Sequence, residues 1–97
     1  MQFIQVIEYH SSKFDEMQAL GTQWEAAIGD RSKARRRILV RDRDHADHYF
    51  NIVFFDSYES AMENSNLPET QALAEKQQPL LAGPPSFWDL DVVADWS

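Results

Sequence analysis

Tyr49-Phe50-Asn51-Ile52-Val53-Phe54-Phe55-Asp56-Ser57-Tyr58-Glu59-Ser60-Ala61-Met62 is the stretch whose reading decides the fold. Its first half is rich in aromatic and β-branched residues, which suit a pleated, half-buried surface. Its second half opens on capping residues, with Asp56 and Glu59 at capping-box spacing. A strand of about 48–55 therefore stops abruptly and becomes a helix.

Working outward, residues 2–10 read as a strand. Phe3, Gln5, Ile7 and Tyr9 share one face, and Ile4, Val6, Glu8 and His10 share the other. Both faces are apolar in the middle, which places this strand centrally in a sheet covered on both sides. Ser11-Ser12 then offer an N-cap, with Asp15 and Glu16 in the first turn. Phe14, Met17, Leu20, Trp24, Ala27 and Ile28 recur at spacings of three and four, one apolar helical stripe. Gly29 is a stop signal. Gly21 sits inside the helix, where it is expected to mark close packing on the sheet.

A loop at 30–34 leads to a second strand over 35–42, with Ile38 and Val40 on one face and Arg37, Leu39 and Arg41 on the other. Asp42 to Asp47 reads as a polar hairpin connection. After the third strand, the helix is interrupted at Asn64 to Pro68, with Pro68 suited to the first turn of a new segment, Glu69 to about Gln78. The last strand spans Ser86 to about Asp95. Trp88, Leu90 and Val92 share one face, opposite Phe87, Asp89, Asp91 and Val93. The order strand, helix, strand, strand, helix, strand is the ferredoxin-like, split βαβ plan, an α+β fold on an antiparallel four-stranded sheet.

The 97 residues are expected to form one domain spanning 1–97, with 43% hydrophobic and 26% charged residues, ordinary for a globular protein. There is no cysteine, which excludes disulfides, thiolate metal sites and cysteine nucleophiles. No apolar run reaches the roughly 20 residues of a membrane helix. No signal peptide is read, and a cytoplasmic location without a membrane partner is expected. The net charge of −7 argues against nucleic-acid binding. Yet Arg31, Lys33, Arg35, Arg36, Arg37, Arg41 and Arg43 gather most of the nine basic residues into one tract, an asymmetry that marks an electrostatic contact.

The run Asn51 to Met62, the broken helix at Asn64 to Pro68 and the closing strand Phe87 to Val93 resemble the dimeric α+β barrel superfamily. Within it, the chain is similar to antibiotic biosynthesis monooxygenase-like proteins. The step Leu67-Pro68-Glu69-Thr70 is similar to one in small actinobacterial members. The resemblance covers nearly the whole chain. It implies a homodimer in which two sheets face each other as one barrel. It also implies contact between the second strand of one chain and the fourth of the other, so that Arg35, Arg37 and Arg41 would meet Asp89 and Asp91. Such a superfamily hosts many activities, and fold does not give function.

The resemblance implies a small, apolar or aromatic ligand, and, if the protein is an enzyme, cofactor-independent oxygenation or isomerisation of an aromatic or polyketide-like substrate. His10 or Glu8 is the expected base and Asn51 the oxyanion stabiliser. Gln5, Tyr9, Trp24, Tyr49 and Trp88 are the expected ligand-binding side chains. None of these matches a family motif residue by residue. A non-catalytic, ligand-binding or structural dimer stands as the alternative.

No cofactor is expected. Haem-degrading relatives carry a histidine in the second helical region, and residues 57–82 have none. No glycine-rich phosphate loop is present. His45 lies among Asp42, Asp44 and Asp47, residue types that suit a divalent ion. The tract lacks familiar metal-binding spacing and is read as a solvated turn, with no metal.

Overall fold

The computed structural model describes residues 2–96. Its strands are β1 (Phe3–His10), β2 (Arg36–Arg41), β3 (His48–Phe55) and β4 (Ser86–Asp91). Its helices are α1 (Phe14–Ile28), α2 (Tyr58–Ser65) and α3 (Pro68–Gln77). The sheet order is β2-β3-β1-β4 with every neighbouring pair antiparallel, which is the ferredoxin-like arrangement. The two strands with apolar residues on both faces, β1 and β3, occupy the centre.

Register assigns each side chain to a face. Phe3 lies opposite Phe55, Gln5 opposite Val53, Ile7 opposite Asn51 and Tyr9 opposite Tyr49. Directly opposed residues share a face. Phe3, Val53, Phe55 and Ala61 of α2 form the buried core, so this is the face the helices cover. Tyr58 packs edge-on against Phe3, with ring centroids 5.5 Å apart. Phe14 of α1 stacks on Tyr49 at 5.3 Å.

The other face carries Ile4 and Val6 of β1, Ile38 and Val40 of β2, Phe50, Ile52 and Phe54 of β3, and Trp88 and Leu90 of β4. No element of this chain lies over it among the described residues. Val40, Trp88 and Leu90 are 39%, 45% and 44% exposed. An apolar expanse of this kind is what interaction surfaces look like.

Helix ends differ from the sequence reading in instructive ways. Ser11 does not cap α1, whose N-cap Lys13 has no side-chain cap. The Ser11 side chain is instead buried, donating to the Leu80 carbonyl at 2.7 Å and accepting from the Lys13 N–H at 3.0 Å. Its N–H donates to the Asp47 carbonyl, so one small residue ties three segments together. At α2 the cap is Ser57, which accepts from the Ser60 N–H at 3.1 Å, rather than Asp56. Asp56 is held outside by Arg35 at 2.5 Å. The break expected at 64–68 is present, and Pro68 opens α3. Strand β4 ends at Asp91, short of the expected Asp95.

Gly29, at φ 52° and ψ −130°, adopts a positive-φ conformation open to glycine that ends α1. Gly21 is a correction. A Cβ there would meet nothing within 4 Å, so the residue marks no close approach to the sheet. Gly21→Ala is therefore expected to stabilise the fold by up to about 1 kcal/mol through helix propensity alone, read as a raised denaturation midpoint in urea.

Candidate functional site

Strand parity separates the residues expected to act together. Asn51 lies on the helix-covered face, opposite Ile7, whereas Glu8 and His10 lie on the open face. A single catalytic unit of His10, Glu8 and Asn51 is thus not what the fold builds. The sheet stands between them, because alternate side chains of a strand project to opposite sides.

On the helix-covered face the arrangement is apolar and aromatic. Tyr9 stacks on Tyr49 at 5.5 Å. Burial, and next the neighbouring Tyr49, push the Tyr9 phenol above its ordinary range, so it stays protonated as a hydrogen-bond donor. The Asn51 side-chain carbonyl is buried and has no hydrogen-bond partner. Such groups are rare in native folds, because an unmade bond leaves desolvation uncompensated.

Trp24 projects from α1, donates to the Thr70 hydroxyl of α3 at 3.0 Å, and carries the Arg37 guanidinium over its ring at 5.6 Å. Arg37 also pairs with Glu25. A groove of about 270 Å³ follows this side of the molecule, lined by Trp24, Ile28, Ala34 and Arg35 to Arg37 among others. A second, of about 180 Å³, lies between α1 and α3 on the other flank of Trp24. Neither is lined by Asn51, Glu8 or His10. Arg37 nevertheless lies opposite Val53, one same-face step from Asn51 along β3.

The remaining expected residues are dispersed. Gln5 donates to Asp89 at 3.3 Å. Trp88 is on the open face, away from Trp24. Arg35 and Arg37 already have partners within their own chain, Asp56 and Glu25. By parity Arg37, Arg41, Asp89 and Asp91 lie on the helix-covered side of the two edges, rather than on the apolar expanse.

At the end of the open face a polar cluster forms that residue-by-residue reading missed. His48 opens β3 beside β1, and its side chain is only 15% exposed. Its Nε2 lies 2.5 Å from the Glu8 carboxylate and its Nδ1 lies 3.0 Å from Asp42 Oδ2. His10 lies flat on the His48 ring at 4.2 Å. His45 reaches the same Asp42 oxygen at 3.2 Å. The sequence signal was the Asp42-x-x-His45-x-x-His48 spacing, together with the β1–β3 register that puts His48 opposite His10 and diagonal to Glu8. Hydrogen bonding to Glu8, and next to Asp42, raises the His48 pKa above its ordinary value. The Asp44 N–H, and next His48, hold the Asp42 carboxyl below its ordinary value.

Comparisons with known proteins bear on the fold. No family model matches this sequence, and no curated protein matches it either. Solved structures do. A candidate antibiotic biosynthesis monooxygenase from Caulobacter crescentus is 17% identical, superposes with a TM-score of 0.83, and is matched over 96% of this chain and 91% of its own. An asparagine-to-alanine variant of SnoaB, a cofactor-independent oxygenase from Streptomyces nogalater, is 14% identical with a TM-score of 0.82, over 97% and 95% of the two chains. Rv0793 from Mycobacterium tuberculosis is 13% identical with a TM-score of 0.81, over the whole of both chains. The chain has the fold of the antibiotic biosynthesis monooxygenase-like structures, as its strand order and broken second helix imply.

The His48 clamp has a pH signature. Below about pH 6.5 the imidazolium donates to both Glu8 and Asp42. As pH rises through the elevated pKa, that proton leaves and the clamp's contribution to stability is lost. Proton NMR titration is expected to place His48 above about 6.5, and Glu8→Gln is expected to lower it.

Proposed function

We propose that this protein is a homodimeric, cofactor-independent oxygenase acting on a small aromatic phenol bound on the helix-covered side of its sheet. The observation that carries this reading is the buried, unpartnered side-chain carbonyl of Asn51. A substrate hydroxyl donating to that oxygen would supply the missing bond and fix the ring against the aromatic surface around it. The fold shared with SnoaB, itself a cofactor-independent oxygenase, supports the reaction class.

The chemistry asks little of the protein. An acidic polycyclic phenol ionises, and its electron-rich anion reacts with molecular oxygen. A ring methylene becomes a carbonyl, one oxygen atom enters the product, and the other leaves as water. Glu8 and His10 are on the wrong face to take the first proton, which corrects their assignment as base. Ionisation then relies mainly on the acidity of the substrate, with Arg37, whose guanidinium lies over Trp24 and pairs with Glu25, as the nearest cation on that face to favour the anion. With neither Glu8 nor His10 on the face of Asn51, ligand binding without turnover stands as the second reading.

Assembly follows from the uncovered face. Two copies packed sheet to sheet would bury Ile4, Val6, Ile52, Phe54, Trp88 and Leu90, whose burial is worth roughly 25 cal/mol per Å². Light scattering is expected to give twice the chain mass. Ile52→Lys, at the centre of that face and outside the core, is expected to give a folded monomer.

Oxygen uptake with a panel of polycyclic phenols tests the activity. Turnover should fall at least about tenfold in Asn51→Leu, the loss of one hydrogen bond to a buried partner. The same variant should gain about 1–2 kcal/mol of stability, because it removes an unsatisfied buried group. Saturable binding of the phenols without oxygen uptake would establish the ligand-binding reading instead. Neither uptake nor binding across the panel would overturn both.

A further inference from the structure

We propose that Asp42, His45 and His48 form a divalent transition-metal site, with zinc the occupant that suits the ligands best. The site lies at the β2–β3 turn, on the opposite side of the sheet from Asn51, and is independent of the oxygenase reading.

Three donor atoms from three side chains converge on one point. Asp42 Oδ2 is 3.2 Å from His45 Nδ1 and 3.0 Å from His48 Nδ1, and all three lie within 4.8 Å of one another. Ligands held about 2.1 Å from a common metal are themselves roughly 3.0–3.4 Å apart, so both Asp42 distances already fit. His45 is the exposed member, and rotation of its side chain closes the remaining separation. One carboxylate oxygen and two imidazole nitrogens are the donor types of open, three-ligand zinc sites, which keep a further position for water.

What surrounds the donors points the same way. Glu8, from a different strand, lies 2.5 Å from His48 Nε2. A carboxylate bonded to the far ring nitrogen is the usual outer partner of a metal-bound histidine, fixing its tautomer and raising its basicity. Here it leaves Nδ1 directed at Asp42. The Asp44 N–H donates to the other Asp42 oxygen at 2.9 Å, which leaves Oδ2 facing the two histidines. His10, parallel to His48 at 4.2 Å, and Phe50, at 4.7 Å, hold the imidazole plane. The solvated-turn reading accounts for His45 alone, but not for a half-buried histidine braced on both ring nitrogens and one face.

On binding, the metal takes the Nδ1 lone pair of His48 and any proton there passes to solvent. The metal ties the turn to β1 through His48 and Glu8, closing one end of the apolar face.

The test uses the full, untagged chain, stripped with a chelator and titrated with zinc chloride by calorimetry. One zinc per chain with a dissociation constant in the micromolar range or tighter is expected. His45→Ala, at an exposed position that leaves the fold intact, should weaken binding at least about tenfold. Glu8→Ala should weaken it by roughly 10–100-fold without removing a ligand. Asp89→Asn, at the far edge of the sheet, should leave it unchanged. Long-range proton–nitrogen NMR should show zinc on His48 Nδ1 with Nε2 still protonated. The proposal is overturned by no binding at about 1 mM zinc chloride, by affinity that survives His45→Ala, or by coordination through Nε2.

Discussion

The antiparallel register of β1 against β3 is the constraint on which the rest of the molecule depends. Phe3 opposite Phe55 and His10 opposite His48 mark its two ends. Because side chains alternate with period two, this pairing sends Phe3, Val53 and Phe55 to the helices and Ile4, Ile52 and Phe54 to the other side. A slip of one residue would exchange those sets and place Glu8 and His10 in the core. No such slip is tolerable, since burying an unpaired charge costs far more than the apolar gain could offset.

Two faces with different fates follow. On one, α2 seals Phe3 and Phe55 through Ala61, whose small side chain is fully buried and lets the helix approach closely. Helix α3 is held mainly by α1 and the turn that follows it, through the Trp24 indole on Thr70 and through Arg31 on Glu69 at 2.6 Å. The break between α2 and α3 gives this freedom. It lets one segment pack on the sheet while the next packs on a helix. The other face stays apolar and uncovered among the described residues, although ordinary folding would have hidden it. Its composition is that of an interaction surface.

Polar groups are concentrated where the strands end. Ser11 joins the end of β1 to the turn before β3 and to the segment after α3. The same end carries Glu8, His10, Asp42, His45 and His48. There the backbone is anchored from several directions, and titratable side chains can be held in fixed geometry without sitting in the core. Asn51 stands apart from these, a polar side chain in the middle of a central strand whose buried oxygen has no partner. Local rules fail at that residue, and sites of function are where such failures gather.

Much of this was legible in local patterns. The alternation in residues 2–10, the change of period at Phe55 to Tyr58, and Pro68 opening a new helix are short-range signals, and each names its element without reference to distant chain. From them the strand order, the face of each side chain within its strand, and the fold class follow. Caps were less legible, since Ser11, Asp56 and Ser57 are all competent and only tertiary partners chose among them: Leu80 claimed the first, Arg35 the second. Which residues from different strands meet was not legible at all. Asn51 and His10 look equally available as neighbours in one pocket until β1 and β3 are paired. Likewise, His45 looks like a turn residue and His48 like the first residue of a strand until Glu8 comes round from forty positions away. The sequence by itself determined the elements and their sidedness, because those depend on neighbours a few bonds apart. Tertiary structure alone decided the site, because a site is set by contacts between segments, and these exist only once the register closes the sheet.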